Sequence, residues 1–230
     1  MLAWWKGVTD ASNLLIAHGG ARADFDRIDF PQKVFVADPR LRTRDHQREM
    51  QSYGGIFRAA AESPRTRDFT HVYLAEYDHL PLVPDLHERL LARLAAEDAD
   101  VLGHGTFRVD GTNQPHFLFH SSNPDFAPYW RRITCRQDPS VVLSMFGSGS
   151  FWRREAFEAV AFADDPVPMY LEIRLPTLAH HLGFRVRDFG RAQNAFVRNL
   201  GDFVSEIDRA KSAGAWTLHP VKTLYDTDIH

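Results

Sequence analysis

Cysteine is almost missing from this 230-residue chain: Cys135 stands alone, so no intramolecular disulfide can form and no zinc site can be built from several thiolates. A lone thiol fits a reducing compartment. Long apolar runs are missing as well. The opening stretch MLAWWKGVTDASNLLIAHGG matches neither a signal peptide nor a membrane span, so a cytoplasmic protein without a membrane span is expected. Positive charge is not in excess. Lys and Arg total 27 against 30 Asp and Glu, a net charge of -3, which leaves no general basic field for a nucleic-acid backbone and argues against a nucleic-acid partner. There is no GxxxxGK[ST] segment, and Gly147-Ser148-Gly149-Ser150 lacks the third glycine of a dinucleotide fingerprint, so P-loop and dinucleotide chemistry have no support.

What is present has the balance of a folded globular chain, with 44% hydrophobic and 25% charged residues. Short β-rich runs at 14–17, 34–37, 71–75, 100–104, 117–120, 141–145 and 184–189 alternate with helical patterns at 45–62, 85–97, 151–160, 170–182 and 202–213. In the second helix Leu86, Leu90, Leu91 and Leu94 share one face, and Asp85 with Glu88 has the spacing of a capping box. Pro176 is expected to break or kink the helix over 170–182. The alternation implies an α/β fold with a mostly parallel central sheet flanked by helices, organised as a single domain over 1–230. Ligands of such sheets bind beyond the carboxyl ends of the strands. The stretches 124–139 and 163–168 read as loops over such a site.

The most informative segment is HVYLAEYDHLPLVPDL, where an apolar strand runs into Glu76-Tyr77-Asp78-His79 before two prolines. Carboxylates two residues apart at a strand end can direct oxygens at one hard cation, because a loop frees them from strict face alternation. The plainer reading is a solvent-facing Glu76 and a turn-forming Asp78. None of the expected helices carries two of the histidines at 104, 116, 120, 180 and 181 at the spacing of a recognised ligand pair on one face.

The strand followed by Glu-Tyr-Asp-His-Leu-Pro resembles the DXD-type metal motif of GT-A glycosyltransferases, with Glu76 at the first acidic place, normally Asp, and Asp78 at the last. A second stretch, GSGSFWRREAFEAV with MYLEIRLPTLAHHLGFRVRD, is similar to the acceptor half of family 2 glycosyltransferases. That resemblance puts Glu172 on the second acidic position of the family's ED motif, with Leu171 at the first, and implies a general base. A third, GAWTLHPVK, places His219 where many GT-A enzymes carry a histidine metal ligand. The resemblance therefore implies a GT-A (Rossmann-like, nucleotide-diphospho-sugar transferase) fold with Mn2+ or Mg2+ on Asp78, Glu76 and His219.

It further implies contacts to the donor's base and ribose from His18-Gly19, after the first strand, and Asp38, after the second. The family's Pro-x-Tyr-Asn segment is absent there. Arg42 and Arg44 have the charge to pair with phosphates. The expected partners are a nucleotide-sugar donor and a hydroxyl acceptor, which the sequence leaves open as carbohydrate, lipid or small molecule. The activity expected is metal-assisted, inverting sugar transfer. Two alternatives stand beside it: a metal-dependent nucleotide-sugar hydrolase or nucleotidyltransferase, and a catalytically silent sugar- or nucleotide-binding domain.

Overall fold

The computed structural model describes residues 2–221, except 44, 46, 47, 50, 125, 127–136, 164–168, 191, 200 and the side chain of 203. Its first part contains α1 (Leu2–Trp5), β1 (Ile16–His18), α2 (Arg22–Arg27), β2 (Lys33–Phe35), α3 (Tyr53–Glu62), β3 (His71–Leu74) and β4 (Leu80–Pro81). The middle contains α4 (Leu86–Ala96), β5 (Val101–Gly103), β6 (Phe107–Arg108), α5 (Pro115–Ser121), β7 (Leu143–Ser144) and β8 (Ser150–Arg153). There follow α6 (Arg154–Ala161), α7 (Leu171–His181), β9 (Val186–Asp188), β10 (Asn194–Phe196), α8 (Phe203–Ser212) and β11 (Thr217–His219). The chain is α/β, and among the described residues no helix is long and apolar enough to cross a membrane.

The sheets are mixed where a mostly parallel one was expected. The largest has the order β3-β8-β5-β9, in which β8 runs antiparallel to both β3 and β5 while β5 and β9 are parallel. Two further parallel pairs, β1–β2 and β10–β11, lie in separate sheets. The segment 151–160, expected as one helix, begins as β8 because Phe151 and Trp152 fill opposite faces of the sheet. Trp152 joins Val101, Phe57, Phe157 and the apolar stripe of α7 on one face. Phe151 joins Leu102, Phe189 and the Leu86, Leu90 and Leu94 stripe of α4 on the other. Neighbouring residues of β5 and β8 thus serve two cores, as expected of strands covered on both sides.

Three local expectations are corrected. The run at 117–120 is helical: Pro115 occupies the first turn of α5, the Gln114 side chain caps it by accepting from the Phe117 N–H at 2.7 Å, and the Phe119 side chain faces solvent. Asp85 does stand before α4, but its carboxylate is taken by Arg89 at 2.8 Å and caps no backbone N–H. Pro176 neither ends nor divides α7. Having no N–H, it releases the carbonyl of Glu172, four residues earlier, and that carbonyl accepts from the Met145 N–H at 3.0 Å. The proline thereby leaves the first turn of α7 tied to the strand region beside it. The loop stretches 124–139 and 163–168 lie largely outside the described residues.

Candidate metal and carboxylate site

The site grows from the turn between β3 and β4. The His79 N–H donates to the Glu76 carbonyl at 3.1 Å, which closes a β-turn with Glu76 at its first position and Asp78 at its third. β4 then pairs antiparallel with β11, Leu80 opposite Leu218, so the residue after Leu218 lands beside the turn. That residue is His219. The Val221 N–H donates to the Asp78 carbonyl at 2.8 Å and fixes the two segments a second time.

The result is a triangle. His219 Nε2 lies 3.3 Å from Asp78 Oδ1 and 3.6 Å from a carboxylate oxygen of Glu76, and one ligand atom from each of the three residues lies within 4.8 Å of the others. Asp78 is 3% exposed, and its Oδ1 accepts no well-aligned hydrogen bond. Two carboxylates and an imidazole at this separation, one oxygen of them desolvated and unsatisfied, can hold a divalent cation. Without a cation, a proton takes its place. Burial is the largest influence on His219 and pulls its pKa down, but Asp78 and Glu76 together outweigh it and hold it up at about 9.

The turn is anchored from behind by side chains. The Tyr53 hydroxyl at the start of α3 donates to Glu76 Oε1 at 2.9 Å, and burial holds that phenol protonated by raising its pKa. The Glu76 N–H donates to Ser148 Oγ at 2.9 Å. Ser148 Oγ in turn meets His79 Nδ1 at 3.0 Å, and His79 Nε2 meets the Tyr73 hydroxyl at 2.8 Å. His79 is fully buried, and its pKa is pushed well below the ordinary value by that burial and by His219 and His104. A neutral imidazole with both nitrogens engaged is a scaffold for the turn. Gly149 makes room for it: its φ is +85°, and a Cβ there would sit 2.8 Å from His79 Cε1.

Glu172 belongs to the same neighbourhood. It sits in the first turn of α7, its carboxylate reached by the Gly147 N–H at 3.5 Å and by His116 Nε2 at 3.6 Å. Burial drives its pKa up to about 7; the Gly147 N–H opposes this, Glu76 adds to it and His219 subtracts. A carboxyl that titrates near neutrality beside a cluster of ligating groups is suited to accepting a proton.

The residues expected at the nucleotide end are arranged differently. His18 ends β1 and stacks on Phe25 at 6.3 Å, while Gly19 is packed so closely on Leu41 that a Cβ would overlap it. Asp38 follows β2, and its carboxylate is held by the Arg40 guanidinium at 2.7 Å and by the Arg40 N–H, which lower its pKa. Arg42 is exposed, with its guanidinium 5.8 Å from the Phe35 ring. Arg44 lies outside the described residues. Helix α3 connects this end to the triangle: Tyr53 bonds Glu76, and a Cβ on Gly55 would be 4.0 Å from Asp38 Oδ2.

No pattern in the sequence assigns a role to Tyr53, Ser148, His79 or His116. Only His116 carried a usable local signal, because once 115–121 is a helix, His116 and His120 lie at i and i+4 on one face. Comparison of the chain with protein-family models, with curated proteins and with solved structures finds no match.

Proposed function

We propose that the chain is a metal-dependent glycosyltransferase that moves a sugar from a nucleotide-diphosphate donor to a hydroxyl acceptor with inversion, on a GT-A-like scaffold. The observation that supports this reading best is the convergence of Glu76, Asp78 and His219 beside Glu172, a separate carboxyl that burial pushes up to about 7. Asp78, Glu76 and His219 hold the ion, and a donor set of two carboxylates and one imidazole favours manganese over magnesium. The ion, when bound, supplies Lewis-acid stabilisation of the leaving diphosphate.

The protein's own groups do the rest. Tyr53 holds Glu76 in one rotamer by its 2.9 Å hydrogen bond. Glu172 accepts the proton of the acceptor hydroxyl, at a pKa matched to neutral pH. His18, Gly19 and Asp38 at the carboxyl ends of the parallel β1–β2 pair are assigned to the base and ribose, and Arg42 with Arg44 to the phosphates.

The test is product analysis with UDP-, GDP-, CDP- and dTDP-linked sugars, manganese and a panel of hydroxyl acceptors. Transfer yields free nucleoside diphosphate and a glycosylated acceptor in equal amounts. Asp78→Ala and Glu172→Gln should each lower the rate on the order of a hundredfold or more while remaining folded. Nucleotide release that needs no acceptor would point instead to hydrolysis, and full activity in both variants would overturn the assigned roles.

A further inference from the structure

Helix α5 meets α7 through two histidines one turn apart, and both engage the N-terminal end of α7 at Tyr170. His120 Nε2 accepts from the Tyr170 N–H at 2.8 Å, and burial lowers its pKa to about 4, so it is a neutral acceptor that pins the residue before α7. His116 stacks on the Tyr170 ring with centroids 3.7 Å apart and planes 10° from parallel. Its Nε2 lies 3.6 Å from Glu172 Oε2, an ion-pair separation longer than a hydrogen bond, while the other carboxylate oxygen accepts from the Gly147 N–H at 3.5 Å. Both side chains keep 22% exposure, enough for proton exchange with solvent from a mostly desolvated place.

We propose that His116 is the positioning residue of Glu172, orienting its carboxyl through Oε2 and relaying onward the proton that Glu172 takes up. This rests on the sugar-transfer reading for its substrate, though the pairing itself does not. In the transfer step the acceptor O–H bond breaks and its oxygen forms the new bond to the sugar carbon. The bond from that carbon to the diphosphate oxygen breaks, and the diphosphate leaves with the electron pair. The proton passes to Glu172, from Glu172 to His116 Nε2, and from the imidazolium to water, which returns Glu172 as a carboxylate. An imidazole whose plane is fixed by a stacked ring and whose nitrogen lies 3.6 Å from the base needs only a small approach to become its orienting partner. Among the described residues, the other titratable groups bearing on the pair include Glu76 and His219 on the Glu172 side, and Tyr170, with Glu49 acting on it, and His120 on the His116 side.

The test needs no turnover. The Glu172 carboxyl carbon and the His116 ring nitrogens are followed by NMR against pH in the metal-free full chain, in His116→Gln and in His116→Phe, which keeps the stack on Tyr170. The expected result is that the two groups titrate as a coupled pair in the parent chain, and that both variants collapse the Glu172 curve to one step with a displaced midpoint. With the transfer assay in hand, both variants should lower kcat on the order of tenfold, leave KM within about twofold and move the neutral limb of the pH profile. An unchanged Glu172 titration in both variants overturns the pairing. Coupled titration without any sugar transfer retains the pair and removes the transfer reading, so the two failures are told apart.

Discussion

Raising the pH should strengthen metal binding by an amount set by His219. Its imidazole is held up at about 9 by Asp78 and Glu76, so near pH 7 the site carries a proton where a cation would bind. Binding must expel that proton, and the apparent affinity is divided by one plus the ratio of protonated to neutral His219. That factor falls from about 100 near pH 7 to about 2 near pH 9, so the affinity for manganese should rise about 50-fold over the interval, with nearly one proton released per ion at the lower end.

Stability of the metal-free protein should move the opposite way. A pKa raised above its ordinary 6.5 contributes stability that is complete below that value and is lost as pH climbs through about 9. The full shift corresponds to an upper bound of about 3 kcal/mol. Calorimetric titration of manganese in two buffers of different ionisation enthalpy measures both affinity and proton release. His219→Gln keeps the carboxylates and should bind more weakly, with no such pH dependence. Equal affinity across the range with no proton released by the parent chain would show that His219 does not compete with the ion.

Two further outcomes follow from the turn's support. Gly149→Ala places a Cβ against His79 at a φ of +85°, and should cost about 1–3 kcal/mol in denaturant unfolding while weakening metal binding. A parent-like midpoint would show that the His79 scaffold is not tightly packed. Tyr53→Phe removes only the hydroxyl that donates to Glu76, so it should lose about 1 kcal/mol of stability and reduce manganese affinity several-fold, as titration against the parent chain would reveal.

Two corners of the triangle, Glu76 and Asp78, are legible in the sequence because they sit in one local motif. A strand running into Glu-Tyr-Asp-His followed by Pro81 can only turn there, and the turn presents Glu76 and Asp78 together. His219 was placed by its resemblance and order, and the structural cause is the pairing of Leu218 with Leu80, a long-range contact that no local pattern encodes. The aromatic run at 117–120 has the composition of a strand, but the capping Gln114 and Pro115 at the first turn decide for a helix, and only on a helix do His116 and His120 share a face. The strand Ser150–Arg153 was hidden because a short apolar run leading straight into a helix has the same composition as the helix's first turn. Pro176 does not break its helix, since the tertiary contact from Met145 satisfies the carbonyl that the proline releases.

Whether Glu76, Asp78 and His219 hold a cation for a nucleotide-diphosphate donor can be read from the melting temperature. The measurement is the shift caused by UDP, GDP, CDP and dTDP and their sugars, with and without manganese, in the parent chain and in Asp78→Ala. A ligand that binds only the folded state raises the melting temperature with its concentration over Kd, about 2.7 kcal/mol at a hundredfold excess. The expected result is a shift for one nucleotide that requires manganese and vanishes in Asp78→Ala. A shift that is the same without metal or with the carboxylate removed, or no shift with any donor, would contradict it.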